Sequence, residues 1–157
     1  MGSNEKFMRR AIELSVENVR VRRGGPFGCV IVKSGEIIAE GWNEVTASND
    51  PTAHAEVVTI RRACVKLQAF QLTGCDLYTS CEPCPMCLGA IYWARPLRIY
   101  YAGTHKDAAQ AGFDDSFIYQ EMRVPVTQRK IPMTQLLNGE ALAGFQEWQK
   151  TADKITY

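Results

Sequence analysis

Two short motifs, about thirty residues apart, constrain this chain more than any other feature of its sequence. The first is His54-Ala55-Glu56, and the second is Pro83-Cys84-Pro85-Met86-Cys87. Each falls at the predicted start of a helix that follows a loop or a strand. Two cysteines separated by two residues can hold one ion from the first turn of a helix, and a histidine at a neighbouring helix start can add a third ligand. The fold must therefore bring residue 54 next to residues 84 and 87.

The three candidate ligands indicate a catalytic metal site. Structural zinc usually has four protein ligands, whereas catalytic zinc has three and leaves the fourth position to water. The sequence offers no fourth ligand at comparable spacing, and a helix N-terminus favours the thiolate form that a metal requires. We expect one zinc ion per chain, bound by His54, Cys84 and Cys87.

Glu56 is predicted to move protons at this site. Zinc lowers the pKa of a bound water towards neutrality, and a carboxylate on the same helix turn as His54 can face that water. Such a group can take the proton of the water, pass it to a ring nitrogen and then protonate the departing amine. The combination of H-x-E with P-C-x-x-C is the signature of zinc deaminases that act on nucleobases.

Length and composition limit the class of protein to which this chain can belong. The chain has 157 residues, 46% of them hydrophobic and 22% charged, which is ordinary for one soluble domain. No segment approaches the roughly 20 apolar residues of a membrane span, and the N-terminus lacks the apolar region of a secretory signal, so we expect no membrane association and a cytoplasmic protein. The net charge of +1 makes a nucleic-acid partner unexpected. The basic group at Arg20, Arg22 and Arg23 reads as a solvated helix end, with a phosphate-binding patch as the alternative.

Hydrophobic periodicity predicts an α/β chain. Helices are expected over residues 5–20, 53–67, 114–122 and 139–151 and from about residue 84, and strands over residues 27–32, 36–42, 76–80 and 97–101. Ser34-Gly35 is predicted to be a hairpin turn, residues 46–52 a loop and residues 131–136 a strand-like segment. An opening hairpin followed by alternating helices and strands indicates a three-layer α/β/α sandwich with a mixed central sheet.

The chain resembles the cytidine deaminase superfamily and, within it, the bacterial guanine deaminases. The metal motif specifies only the superfamily, whereas the Phe of Gly24-Gly25-Pro26-Phe27-Gly28 and the Gly-Phe-Asp-Asp of residues 112–115 narrow the choice. The other matching stretches are residues 49–56, 79–87 and 90–96. The last third of the chain matches more loosely, apart from its final aromatic residue, Tyr157.

The resemblance implies a set of site residues. Glu56 is the proton shuttle and Asp115 a second catalytic carboxylate, and the implied substrate-binding residues are Phe27, Asn43, Ala55, Trp93, Asp115 and Tyr157. The residues alone leave other roles open. Phe27 and Trp93 can be core aromatics, Asn43 can cap a loop, and Asp114 or Asp115 can cap the following helix.

The implied reaction is the hydrolysis of guanine to xanthine and ammonia. Alternatives are deamination of another base or nucleoside, such as guanosine or cytosine, or of adenosine in transfer RNA. From the resemblance we expect one domain over residues 1–157, with residues 152–157 as a tail that closes the site. A homodimer that pairs through its metal-bearing helices is also expected, with tail exchange between subunits as one arrangement.

Two other classes of protein are weaker alternatives. A zinc-stabilised binding module without catalysis needs no free carboxylate beside its ligands, which leaves Glu56 unexplained. A thioredoxin-like redox role for Cys84 and Cys87 leaves both His54 and Glu56 unexplained.

Overall fold

The computed structural model describes residues 2–157. Its elements in chain order are α1 (Ser3–Arg20), β1 (Gly28–Lys33), β2 (Glu36–Trp42), α2 (Val45–Ser48), α3 (Ala55–Leu67), β3 (Cys75–Cys81), α4 (Pro85–Ala94), β4 (Arg98–Gly103), α5 (His105–Gln110), α6 (Ser116–Arg123), a 3₁₀ turn (Val126–Gln128) and α7 (Asn138–Lys150).

The four strands form one mixed sheet in the order β2-β1-β3-β4. β1 pairs antiparallel with β2 and with β3, whereas β3 pairs parallel with β4 through the crossover that contains α4. The β1–β2 connection is the predicted turn at Ser34 and Gly35, whose φ angles of 52° and 81° suit the twist of a two-residue hairpin. β3 is therefore held on both sides by neighbouring strands.

Helices cover both faces of this sheet, because side chains alternate along β1. One set of side chains packs with residues of α3 and α4 in a core that includes Cys29, Ile31, Ala55, Ala63, Leu77 and Ile91. The other set packs with α1 in a second core that includes Phe7, Ala11, Leu14, Val30, Val32 and Tyr78. The predicted three-layer sandwich with a mixed sheet is confirmed.

Gly28 lets α1 approach the first residue of β1 closely. A Cβ at this position would overlap the Ala11 carbonyl oxygen and lie 2.8 Å from the Leu14 Cβ. The close approach fixes the loop before Gly28, which carries Phe27.

Two predictions about secondary structure were wrong, and one helix was not predicted. Residues 46–52 are not entirely a loop, since α2 forms there and ends at Asn49 in the left-handed conformation. Residues 131–136 form no strand: Pro132 has no N–H to donate to a ladder. The helix α5 was missed, although Thr104 and Asp107 form a capping box at its start.

The described chain divides into two compact units, one that ends at Asp115 and one that spans Ser116–Tyr157. The helices of the second unit contain no buried residue. Within residues 2–157, every helix is too short or too polar to cross a membrane.

Candidate metal centre and active site

Two of the predicted ligands are the residues that begin α3 and α4. His54 is the N-cap of α3 and Cys84 the N-cap of α4, and both have extended backbone conformations. Pro85 then occupies the first turn of α4, where its missing N–H costs no helical hydrogen bond. The side chains of two N-caps and of Cys87, one turn into α4, thus meet between the positive ends of two helices.

The three ligand atoms have the spacing of a zinc site. The His54 Nδ1 lies 3.5 Å from the Cys84 Sγ and 3.4 Å from the Cys87 Sγ, and all three atoms lie within 4.8 Å of one another. In a tetrahedral site with Zn–S of about 2.3 Å and Zn–N of about 2.0 Å, nitrogen and sulfur ligands stand about 3.5 Å apart. Two thiolates and an imidazole are also the donors that zinc prefers, so the residues present fit the ion.

The environment favours a thiolate at Cys84. A hydrogen bond from Cys87 and, to a smaller degree, contact with His54 lower the pKa of Cys84 to about 4. The same interaction with Cys84 raises the pKa of Cys87, and its burial adds to the effect. The hydrogen bond with Cys84 also raises the pKa of His54. Cys84 is therefore the thiol of the pair that ionises more readily, and a divalent cation would favour the loss of the Cys87 proton as well.

Glu56 is buried beside these ligands, with 5% of its surface exposed. Its Oε1 accepts a hydrogen bond of 2.9 Å from the Thr79 hydroxyl, and its Oε2 lies 3.4 Å from the Cys87 Sγ. Burial raises the pKa of Glu56 above its ordinary value. A carboxyl group in this position, beside the three ligand atoms, can act as a general acid and a general base.

Asp115 lies on the loop that follows α5, near the same centre. Burial and, after it, the negative charge of Cys84 raise the pKa of Asp115. Two residues earlier, Phe113 meets Phe27 edge to face, with ring centroids 5.0 Å apart. Phe27 is half-buried against the core, so this contact joins the Asp115 loop to the start of β1.

Asn43 is 7% exposed, and its side-chain oxygen holds the loop in place. Its Oδ1 accepts hydrogen bonds from the backbone N–H groups of Gly25 and Val45, both at 3.3 Å, so the loop-capping role left open by the sequence is confirmed. Within residues 2–157 no hydrogen bond uses its Nδ2. That group is still available as a donor.

The other predicted substrate-binding residues differ in burial. Ala55 is buried and begins α3, directly between His54 and Glu56. Trp93, near the end of α4, is 64% exposed, so the core-packing alternative for it was wrong. Tyr157 is exposed at the end of the second unit.

Two polar residues that hold the site together were missed at the level of sequence. Thr79 contacts Glu56 from β3, and Asn18 donates from its Nδ2 to the backbone oxygens of Gly25 and Asn43, both at 2.9 Å. Asn18 follows Ala11 and Leu14 on the buried stripe of α1, where a polar residue needs an internal partner. That position was the available signal for Asn18, whereas nothing in the strand pattern marked Thr79.

The geometry agrees with the comparison to known families. A family profile described as the cytidine and deoxycytidylate deaminase zinc-binding region matches residues 1–103. The chain belongs to this zinc-binding deaminase family. Zinc is the cofactor of this family, and the matched residues include both metal-binding motifs. His54, Cys84 and Cys87 are positioned to bind one ion.

Several members of the family are similar over most of the chain. The guanine deaminase of Bacillus subtilis (strain 168) is 60% identical over 99% of this chain and 99% of its own length. A crystal structure of guanine deaminase from Bacillus subtilis has a TM-score of 0.96 and covers 100% of this chain and 99% of the other. The tRNA-specific adenosine deaminase of Agrobacterium fabrum is 42% identical over 64% of this chain and 66% of its own length.

The first prediction tests the ligands of this deaminase centre. Purified protein should contain about one zinc per chain, and Cys84→Ala should lose most of it, because two ligands from this set hold zinc far more weakly than three. Cys64→Ala removes a cysteine outside the cluster and is the matched control, which should keep its zinc. Elemental analysis after dialysis measures the content, and zinc at the wild-type level in Cys84→Ala would contradict the site.

Proposed function

We propose that this chain catalyses the zinc-dependent hydrolysis of guanine to xanthine and ammonia. The observation that carries the proposal is the buried Glu56 carboxylate beside three ligand atoms, with Asp115 near the same centre. A binding module would need no buried carboxylate beside its metal ligands. Identity of 60% over nearly the whole chain to a guanine deaminase supports this substrate.

The chain's own residues supply the proton transfers. Zinc bound by His54, Cys84 and Cys87 would lower the pKa of a water molecule, so that hydroxide is available at neutral pH. Glu56 takes the proton of the attacking water on its Oε2, because its Oε1 is engaged by Thr79. It passes that proton to N3 of guanine as the water oxygen attacks C2. Glu56 then takes the second proton of the former water, from the hydroxyl now on C2, and gives it to the amine, which leaves as ammonia while the C2 carbonyl forms.

Residues around the cluster would orient the purine. Attack at C2 leaves the C6 carbonyl pointing away from Glu56, and the Nδ2 of Asn43 is the proposed donor to it. Asp115 accepts a hydrogen from the ring or the amino group and assists the departure of ammonia. We propose that Phe27 stacks on the planar base, that Ala55 contributes contact at the start of α3, and that Trp93 adds an aromatic surface to the pocket.

The second prediction tests the reaction. Ammonia release should be fastest with guanine among guanine, guanosine, adenine, cytosine, cytidine and an adenosine-containing tRNA anticodon stem-loop. Glu56→Gln should keep fold and zinc but lose about 10⁴-fold or more in turnover, because one group serves several proton transfers. Preference for another substrate would reject guanine, and activity of Glu56→Gln within tenfold of wild type would reject the role of Glu56.

We also propose that the two units act as one deaminase domain within a homodimer. The second unit exposes apolar side chains that nothing within the described chain buries, among them Phe117, Leu142, Phe145 and Trp148. The first unit exposes a further group of apolar side chains, on α4, on the edge strand β4 and directly before that strand: Leu88, Tyr92, Leu97 and Tyr101. Patches of this kind on a monomer mark interfaces. A second copy that pairs through α4 and exchanges its tail would cover both.

The third prediction concerns this dimer. Wild-type protein should sediment as a dimer at micromolar concentration, and Tyr92→Glu should shift it towards monomer, because a charge in a dry interface loses its hydration. Val19→Glu is the matched control, since Val19 is an exposed apolar residue on α1, which carries no metal ligand. A monomeric wild type would contradict the assembly.

The tail at residues 152–157 is the proposed closure of the pocket. α7 ends at Lys150, and the segment after it carries Tyr157 at its tip. A base deaminase can close the side of the pocket beyond N9, whereas a nucleoside deaminase must leave room for ribose. Tyr157, from the same chain or from the second subunit, would lie over the base and exclude both ribose and water.

The fourth prediction tests this closure. Deletion of residues 155–157 should reduce guanine turnover strongly and leave zinc content and folding unchanged, because these three residues are exposed and lie outside the two cores. Tyr157→Phe keeps the ring and should stay close to wild type. If the truncated protein deaminates guanine at the wild-type rate, the tail does not close the site and guanosine becomes an equal candidate substrate.

The proposed compartment is the cytoplasm. All six cysteines are unpaired, and zinc needs Cys84 and Cys87 as reduced thiolates, a state that cytosolic reductants maintain. The proposed partner is a small purine, and with a net charge of +1 the chain lacks the excess of basic residues typical of nucleic-acid binding.

A further inference from the structure

We propose that Thr79 is a positioning residue that decides which oxygen of Glu56 receives the proton of the attacking water. The inference rests on the proposed function, because it concerns the same deamination step. Thr79 is fully buried on β3, and its hydroxyl donates to the Glu56 Oε1 at 2.9 Å.

The strand gives this hydroxyl a fixed position. Thr79 is paired with Cys29 of β1 on one side and with Tyr101 of β4 on the other, so its backbone is held from both neighbours. A threonine side chain has few available rotamers in a strand because it is branched at Cβ. The donor is therefore fixed independently of the helix that carries Glu56.

The hydrogen bond from Thr79 gives the two oxygens of the Glu56 carboxylate different roles. Oε1 is engaged by Thr79, whereas Oε2 faces the ligand cluster and lies 3.4 Å from the Cys87 Sγ. A thiolate ligand has no proton to donate, so the bond from Cys87 is lost once that thiol binds a metal. Apart from its own backbone N–H, the Thr79 hydroxyl is then the donor that still orients the Glu56 carboxylate. Without it the carboxylate can rotate, and Oε2 is no longer held towards the attacking water.

Three variants separate this role from packing. Thr79→Val keeps the shape and removes the hydroxyl, whereas Thr79→Ser keeps the hydroxyl and removes the methyl group. Thr59→Val is the matched control: Thr59 is another fully buried threonine, whose hydroxyl donates to the Ala55 carbonyl oxygen at 2.6 Å and makes no bond to Glu56. If Thr79→Val does not fold, Thr79→Ala removes the same hydroxyl by leaving a small cavity.

The fifth prediction is a specific loss of kcat. Thr79→Val should lose about 10–100-fold in kcat for guanine, with KM within about twofold, zinc content unchanged and a melting temperature close to that of Thr59→Val. Thr79→Ser should recover kcat to within about threefold, because the hydroxyl alone restores the orientation. A crystal structure of zinc-loaded Thr79→Val should show the Glu56 carboxylate rotated away from its wild-type position.

Other outcomes would contradict either the positioning role of Thr79 or the proposed substrate. If Thr79→Val keeps wild-type kcat, if Thr79→Ser is as impaired as Thr79→Val, or if Glu56 keeps its orientation in the crystal, Thr79 has no positioning role. If wild-type protein, assayed in parallel, releases no ammonia from guanine, the proposed substrate is wrong. The crystal structure still decides the position of Glu56 in that case.

Discussion

The candidate site depends on one contact: the N-termini of α3 and α4 meet beyond the end of β3. α3 begins at His54 and α4 at Cys84, and both residues turn their side chains into the same small volume. The first N–H groups of a helix have no partner within it, so each end carries partial positive charge. The partial positive charge of the two helix ends stabilises negative charge on the neighbouring thiols and carboxylate, although these groups are buried. The sheet order, with β3 between β1 and β4, fixes where the ends meet.

Much of this arrangement follows from the sequence because its signals are local. The H-x-E and P-C-x-x-C spacings mark helix starts and ligands together, and the turn at Ser34-Gly35 fixes the register of β1 and β2. The contact between Thr79 and Glu56 was beyond sequence reasoning, because no motif links the two residues, which lie in different elements. Threonine in a strand predicts only a buried or half-buried β residue. Its functional partner appears once the strand pairing and the helix orientation are both known.

Asn43 and Trp93 show a second reason for the limits of sequence. Asn43 serves the loop with its Oδ1 while its Nδ2 has no bond within residues 2–157, so the two roles considered for it do not exclude each other. Trp93 belongs to an apolar run that fits a buried helix, yet 64% of it is exposed. An apolar pattern along a helix predicts that its apolar face is buried, but it does not predict what the face packs against. The proposed dimer or the proposed substrate would cover this exposed ring.

Burial, reinforced by the negative charges of the cluster, explains why several groups there resist ionisation together. Burial and, after it, repulsion by Glu56 raise the pKa of Cys29 and of Cys81, the latter to about 11. Burial likewise raises the pKa of Glu56 and of Asp115, and the charge of Cys84 adds to both. A divalent cation held by His54, Cys84 and Cys87 would reverse the sign of the local potential. It would let Cys87 ionise while Glu56 becomes an easier anion to form, so metal binding and the readiness of the proposed base are coupled through one electrostatic field.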